Sequence, residues 1–215
     1  MRRIKHIGWL CLALFSLFGC DQDAEPTAAT TNADTGKPYQ APAPGYIKSA
    51  SFTGDDNNTL TDWRLLQHSS NKSYQVSVAD EVIALTRTGT EPWGKISQRF
   101  SKKELIPLVG KRLEFSVEVK GDFTDEYGEP VEPPSIAVKV KGITKGAPAM
   151  MGSSTLLYQS EPIIETFGVA PWRRYAVQFD VPAAEQARVV DIELAITMTT
   201  GGTLWARGPA LVELP

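Results

Sequence analysis

Apolar and polar residues alternate most clearly between Arg112 and Lys120, where Leu113, Phe115, Val117 and Val119 interleave with Arg112, Glu114, Ser116, Glu118 and Lys120. A period of two sends the apolar set to one face of an extended strand. The same spacing returns in Ile136, Val138 and Val140, then in Tyr175, Val177, Phe179 and Val181, and again in Ile192, Leu194, Ile196 and Met198, which predicts four strands. Less regular runs add candidates at 47 to 53, 63 to 67, 73 to 78, 81 to 87, 93 to 100, 155 to 160, 203 to 206 and 209 to 214. The one helical signal is a single turn at SKKEL, where Ser101 followed by Glu104 has the form of a capping box. Strands with one polar face, divided by Gly, Pro, Asn and Asp clusters, predict an all-β domain in which two antiparallel sheets pack as a β-sandwich. A jelly roll is the preferred topology because it accepts long connections at one rim. Two such connections are expected, at 121 to 135 and 142 to 171, and loops of this length in a compact domain usually carry function.

The N-terminus follows a different pattern. Arg2, Arg3 and Lys5 precede an almost wholly apolar run from Ile7 to Phe18, the form of an export signal. That run is shorter than the roughly 20 residues of a membrane-spanning helix. It closes with Leu17-Phe18-Gly19-Cys20, which resembles the lipobox of bacterial lipoproteins. The resemblance implies cleavage after Gly19, acylation of Cys20 and anchorage in a membrane of the bacterial envelope; Asp21 in the next position is similar to an inner-membrane retention signal. Stable attachment takes more than one acyl chain, each buried methylene contributing about 0.8 kcal/mol. From Asp21 to Gly45 the chain is rich in Ala, Thr, Pro and Asp and has little to bury, as in a disordered tether. The expected organisation is therefore signal 1–19, lipidated Cys20 and linker 20–46, and one sandwich domain over 47–215.

With Cys11 lost in the signal and Cys20 acylated, no disulfide pair remains, so the fold rests on its core. Loss of Arg2, Arg3 and Lys5 leaves 19 of the 22 basic residues against 25 acidic ones, a balance near −6. That sign argues against nucleic acid as a partner.

Three segments in order, WGKISQRF (Trp93 to Phe100), GKRLEFSVEVKG (Gly110 to Gly121) and WRRYAVQFDVP (Trp172 to Pro182), followed by the closing TLWARGPALVEL (Thr203 to Leu214), resemble the galactose-binding-like β-sandwich of bacterial carbohydrate-binding modules. The resemblance implies a jelly-roll fold and a saccharide or cell-wall glycan as ligand. It also implies a structural calcium held by an acidic residue near the termini; Trp205-Ala206-Arg207-Gly208 departs from that pattern, and no other cofactor is expected.

Catalytic signatures are missing. His68 is the one histidine beyond the signal and has no cysteine for company, so zinc sites and nucleophilic dyads or triads lack their residues. Phosphate-cradling and nucleophile-elbow motifs are also absent. Asp122, Asp125, Glu126, Glu129 and Glu132 gather in one stretch. They read as a solvated loop, as a cation site through Asp122, Asp125, Glu126 and Glu129, or as a carboxylate pair of the glycosidase kind. For saccharide binding, an indole or phenol ring stacks on the apolar face of a sugar while neighbouring polar groups bond its hydroxyls. Trp93 and Trp172, each directly after a proline, together with Tyr127 and Arg173, are the candidates. Met150, Met151, Leu156 and Leu157 read either as a patch for an envelope protein partner or as a cover over one end of the sandwich. The expected function is a non-catalytic, membrane-tethered binding module, with docking of a partner protein as the alternative and a glycoside-acting enzyme as the third reading.

Overall fold

The computed structural model describes residues 43, 45–54, 59–128, 130, 132–146, 154–163 and 167–215. All of them fall in the unit Thr31–Pro215. The signal, Cys20, most of the linker, Glu129, Met150 and Met151 lie outside the described residues.

Ten strands form: β1 (Arg64–Gln67), β2 (Tyr74–Ala79), β3 (Val82–Arg87), β4 (Gly94–Arg99), β5 (Arg112–Thr124), β6 (Ser135–Thr144), β7 (Ser154–Pro162), β8 (Gly168–Asp180), β9 (Ala187–Met198) and β10 (Gly201–Glu213). They assemble into two five-stranded antiparallel sheets, ordered β1-β4-β9-β6-β7 and β2-β3-β10-β5-β8. Only β2–β3 and β6–β7 are hairpins within a sheet; every other step crosses to the opposite sheet, which is the jelly-roll course. The alternating residues meet between the sheets: Leu113, Phe115, Val117 and Val119 of β5 and Leu204, Ala206 and Leu211 of β10 face Ile136, Val138, Val140, Ile192, Leu194 and Ile196 of the other sheet. Burying a side chain of this kind contributes about 1.5–3 kcal/mol, and no cysteine lies among the described residues. The turn expected at Ser101 is α1 (Lys102–Leu105), with the Glu104 carboxylate accepting the Ser101 backbone N–H at 2.5 Å.

Three sequence expectations change. Residues 47 to 53 form no strand: Ile47 and Phe52 are both buried, but an odd spacing would send them to opposite faces of a strand, so the chain bends and makes only the isolated bridges Gly45–Leu211 and Gly54–Leu60. The two candidates 203 to 206 and 209 to 214 are one strand interrupted by a bulge at Gly208-Pro209, where the register steps from Arg207 to Ala210. The inward residues change there from even positions (Leu204, Ala206) to odd (Leu211), which is why the pattern reads as two pieces. Finally, the candidate at 155 to 160 forms as β7 inside the connection expected at 142 to 171, and β5 runs on to Thr124, so the intervals between strands shorten to 125–134, 145–153 and 163–167.

Glu193, on the solvent-facing side of β9, is only 3% exposed and pairs with Lys95 (2.6 Å) and Arg99 (3.5 Å). Burial alone would raise its pKa, but Lys95 and Arg99 outweigh it and hold the carboxyl below its ordinary 4.5. A depressed folded-state pKa contributes stability above 4.5 that is lost as pH falls through the folded value. Glu193→Gln is therefore expected to lower unfolding free energy by about 1–3 kcal/mol at neutral pH. Denaturant titrations at pH 7 and pH 3 should show that difference shrinking in acid; an equal difference at both would exclude the ion-pair account.

Candidate functional site

The solvent-facing side of the second sheet follows from strand alternation. Leu204 and Ala206 point into the core, so Trp205 points out; Val119 is buried, so Lys120 points out, and the two are register partners. On the neighbouring strand β8, Arg173 pairs with Val119 and Ala170 with Gly121, leaving Pro171 and Trp172 opposite Lys120 alone. This is a β-bulge, and proline at such a position costs no ladder hydrogen bond. The bulge brings the Trp172 ring to the outer side next to Lys120. The Lys120 ammonium lies 4.8 Å from the Trp205 ring centre and 5.3 Å from that of Trp172. On Trp172 the Arg207 guanidinium stacks at 4.2 Å while its Nε donates to Glu118 at 2.8 Å. Each such contact is worth about 0.5–1 kcal/mol at an exposed site, and together they hold both indoles in place before any ligand arrives.

Beside these rings opens a cavity of about 370 Å³, lined by Lys120, Gly121, Asp122, Val169, Ala170, Pro171, Trp172 and Trp205. That volume lies at the small end of the range for ligand pockets. Gly121 forms part of its wall because a Cβ there would strike the buried Phe123 ring, so no larger residue fits. Val169, 82% exposed, and Pro171 give an apolar lip, while Asp122 supplies an acceptor and Lys120 a donor. Flat apolar rings with a few polar groups at their border suit a ligand having both an apolar face and many hydroxyls.

Of the residues expected from sequence, Trp172 stands in this site. Arg173 stands on the register of buried Val119, on the opposite side of β8 from Trp172. Trp93 precedes β4 in the other sheet and packs edge-on against His68, ring centres 5.9 Å apart. His68, Ser69 and Asn71 all bond the Glu91 carboxylate, at 2.8, 2.7 and 3.0 Å, and these bonds, that from Ser69 foremost, keep its pKa below the ordinary value. Tyr127 covers the guanidinium of Arg87 at 4.7 Å, and Tyr74 lies on the same group at 5.7 Å. Arg87 is buried and donates to the carbonyls of Gly89 (3.0 Å), Thr199 (2.7 Å) and Thr90 (3.2 Å), so Tyr127 helps to fasten the loop after β5 to the rim. Asp122 lines the cavity, while Asp125 begins a turn closed by Gly128 N–H to its carbonyl at 2.8 Å, with Glu126 inside that turn. Among the described residues, no group of three or more His, Cys, Asp or Glu side chains is placed to hold a metal ion. Trp63, a further tryptophan of the chain, is core, tilted against Phe52 at 5.1 Å. Trp205 and Lys120 are the site residues that sequence reasoning did not select, although the alternation of β10 and β5 already assigns both to the outer side.

No family model and no curated protein matches the chain. Among solved structures, it is similar to a CBM4 module (18% identity, 79% of this chain and 97% of that one, TM-score 0.41). It is also similar to the C-terminal family 22 carbohydrate-binding module of Clostridium thermocellum Xyn10B (13% identity, 81% and 96%, TM-score 0.45). A third similarity is to the enzymatically active domain of tailspike protein 4 of bacteriophage CBA120 (11% identity, 72% of this chain, TM-score 0.43), of which the chain spans one fifth, 20%. At such identities the ligand has to be argued from this chain's own residues.

Proposed function

We propose that the protein is a non-catalytic carbohydrate-binding module, tethered to a membrane of the bacterial envelope through acylated Cys20. The observation that carries the binding reading is the pair of outward-facing indoles, Trp172 and Trp205, braced by Lys120 and Arg207 over a cavity bordered by Asp122. A sugar ring stacks on an indole with its C–H face, and its hydroxyls donate to the Asp122 carboxylate and accept from the Lys120 ammonium. The side chains that border the cavity include no histidine and no second carboxylate to pair with Asp122 for acid–base work on a glycosidic bond. A glycan array probed with the protein tests the reading: retention of saccharides that disappears when Trp172 is replaced by alanine is expected, and retention indifferent to that change would remove the site.

Anchorage rests on the basic and apolar leader followed by Gly19-Cys20. Among the described residues no helix is long and apolar enough to cross a membrane. Expressed in bacteria, the wild-type chain is expected to partition into the detergent phase of a Triton X-114 separation, and Cys20→Ser into the aqueous phase. Equal partition of the two would refute the lipid anchor.

A further inference from the structure

Lys120 differs from three other cations that lie against rings in this protein. Lys111, beside the Tyr46 ring, pairs with the Glu213 carboxylate, and Arg207, on Trp172, pairs with Glu118. Arg87, against Tyr74 and Tyr127, gives its N–H groups to three carbonyls. The Lys120 ammonium stands 4.8 Å from one indole centre and 5.3 Å from the other, and among the described residues no carboxylate lies within 4 Å of it. An indole attracts a cation through its quadrupole and has no net charge, so the rings hold the ammonium in place without neutralising it. Its full charge is left to a ligand.

The rest of the cavity is arranged about that charge. Among the described residues that line it, Lys120 is the one cation and Asp122 the one carboxylate. Both occupy outward positions of β5, about 7 Å apart along the strand, and Gly121 puts no side chain between them. A pyranose ring carries a substituent at one edge and hydroxyls at the opposite edge. One ring can therefore bring an acidic substituent to Lys120 and hydroxyls to Asp122 while its C–H face lies on an indole. A ligand cation finds no such place, because the Lys120 ammonium already lies over both rings. We propose that the cavity selects saccharides that carry an acidic group, a ring carboxylate or a sulfate, and that Lys120 sets this preference. The inference rests on the reading of the cavity as the saccharide site and adds the class of saccharide it takes. A neutral sugar offers the ammonium hydroxyl oxygens alone, whereas an anion adds its own charge to the bond and strengthens it.

The test is an array probed with the full-length protein, in which each acidic oligosaccharide is printed beside its uncharged counterpart. Oligomers of galacturonate, glucuronate and mannuronate stand beside their methyl esters, and sulfated galactan fragments beside desulfated ones, so the array also tells carboxylate from sulfate. Wild type is expected to prefer the acidic member of a retained pair by about tenfold or more, the difference that a hydrogen bond to a charged group makes. Added salt should shrink that preference. In Lys120→Gln the preference should disappear, and Lys120→Arg, which keeps a cation beside the rings, should keep most of it. Trp172→Ala should weaken both members of the pair together. Equal retention of both members by wild type, or a preference that survives Lys120→Gln, would overturn the inference, while loss of both members in Trp172→Ala would leave the saccharide site standing. Retention undiminished in Trp172→Ala, or no saccharide retained by wild type, would remove the site and the inference with it.

Discussion

Replacing Trp205 with alanine is expected to cost about 2 kcal/mol or more of saccharide affinity, a loss of roughly thirtyfold, because a single buried aromatic commonly carries that share of a contact surface. The prediction is sharper than for most aromatic truncations. Trp205 is half-buried on the outer side of β10 and touches Lys120 with its face, so removing it takes away a platform and leaves the core closed. Its unfolding free energy should accordingly change by about 1 kcal/mol at most. Trp93→Ala makes the discriminating comparison, since that ring belongs to the other sheet and packs on His68. Titration calorimetry of the two variants against one array-identified saccharide should show a large loss for Trp205→Ala and none for Trp93→Ala; the reverse order would move the site to the His68 end.

The largest effect on stability is expected from Arg87→Ala. This guanidinium is 6% exposed, is covered by Tyr74 and Tyr127, and satisfies carbonyls from three residues in two different loops. A buried acceptor left without its donor costs about 1–3 kcal/mol, and two or three are orphaned at once, so a loss of about 3 kcal/mol or more follows. Arg87→Lys should recover only part of it, because an ammonium has no planar fork to span carbonyls lying in different directions. Urea denaturation measures both variants, and a midpoint for Arg87→Ala within error of wild type would show that water takes over those carbonyls. Burial also pushes the Tyr74 hydroxyl up to about 12, with Arg87 acting in the opposite direction, so the cluster holds a neutral phenol across the physiological range.

The sheets were legible wherever alternation was long and unbroken. Leu113 to Val119 and Ile192 to Met198 announce their inward faces directly, and their partners across the sandwich share the same period. Legibility fails where the parity slips. Gly208, with a φ of +55°, and Pro209 shift β10 by one residue, and the adjacent pair Leu156-Leu157 gives β7 no period, so that it read only as the less regular candidate 155 to 160. The site was read only in part for a related reason. A proline directly before Trp172 marked a strand edge, but not that the strand continues through it to Gly168 with a bulge. Trp93, preceded by proline in the same way, differs only in which sheet receives it, and strand order is a long-range property that local pattern does not encode. Arg87 gave no signal at all, since the carbonyls it serves lie on turns that exist only once the sheets have formed.

Gly45 joins the sandwich beside Leu211, with the Tyr46 N–H bonded to the Leu211 carbonyl at 2.7 Å and the Tyr46 hydroxyl to Glu213 at 2.9 Å. Six steps along β10 lead from that point to Trp205, about 20 Å at the usual rise per residue. A pull on the chain before Gly45 would therefore load the C-terminal end of β10, and the Trp205 indole stands toward the opposite end of the same strand.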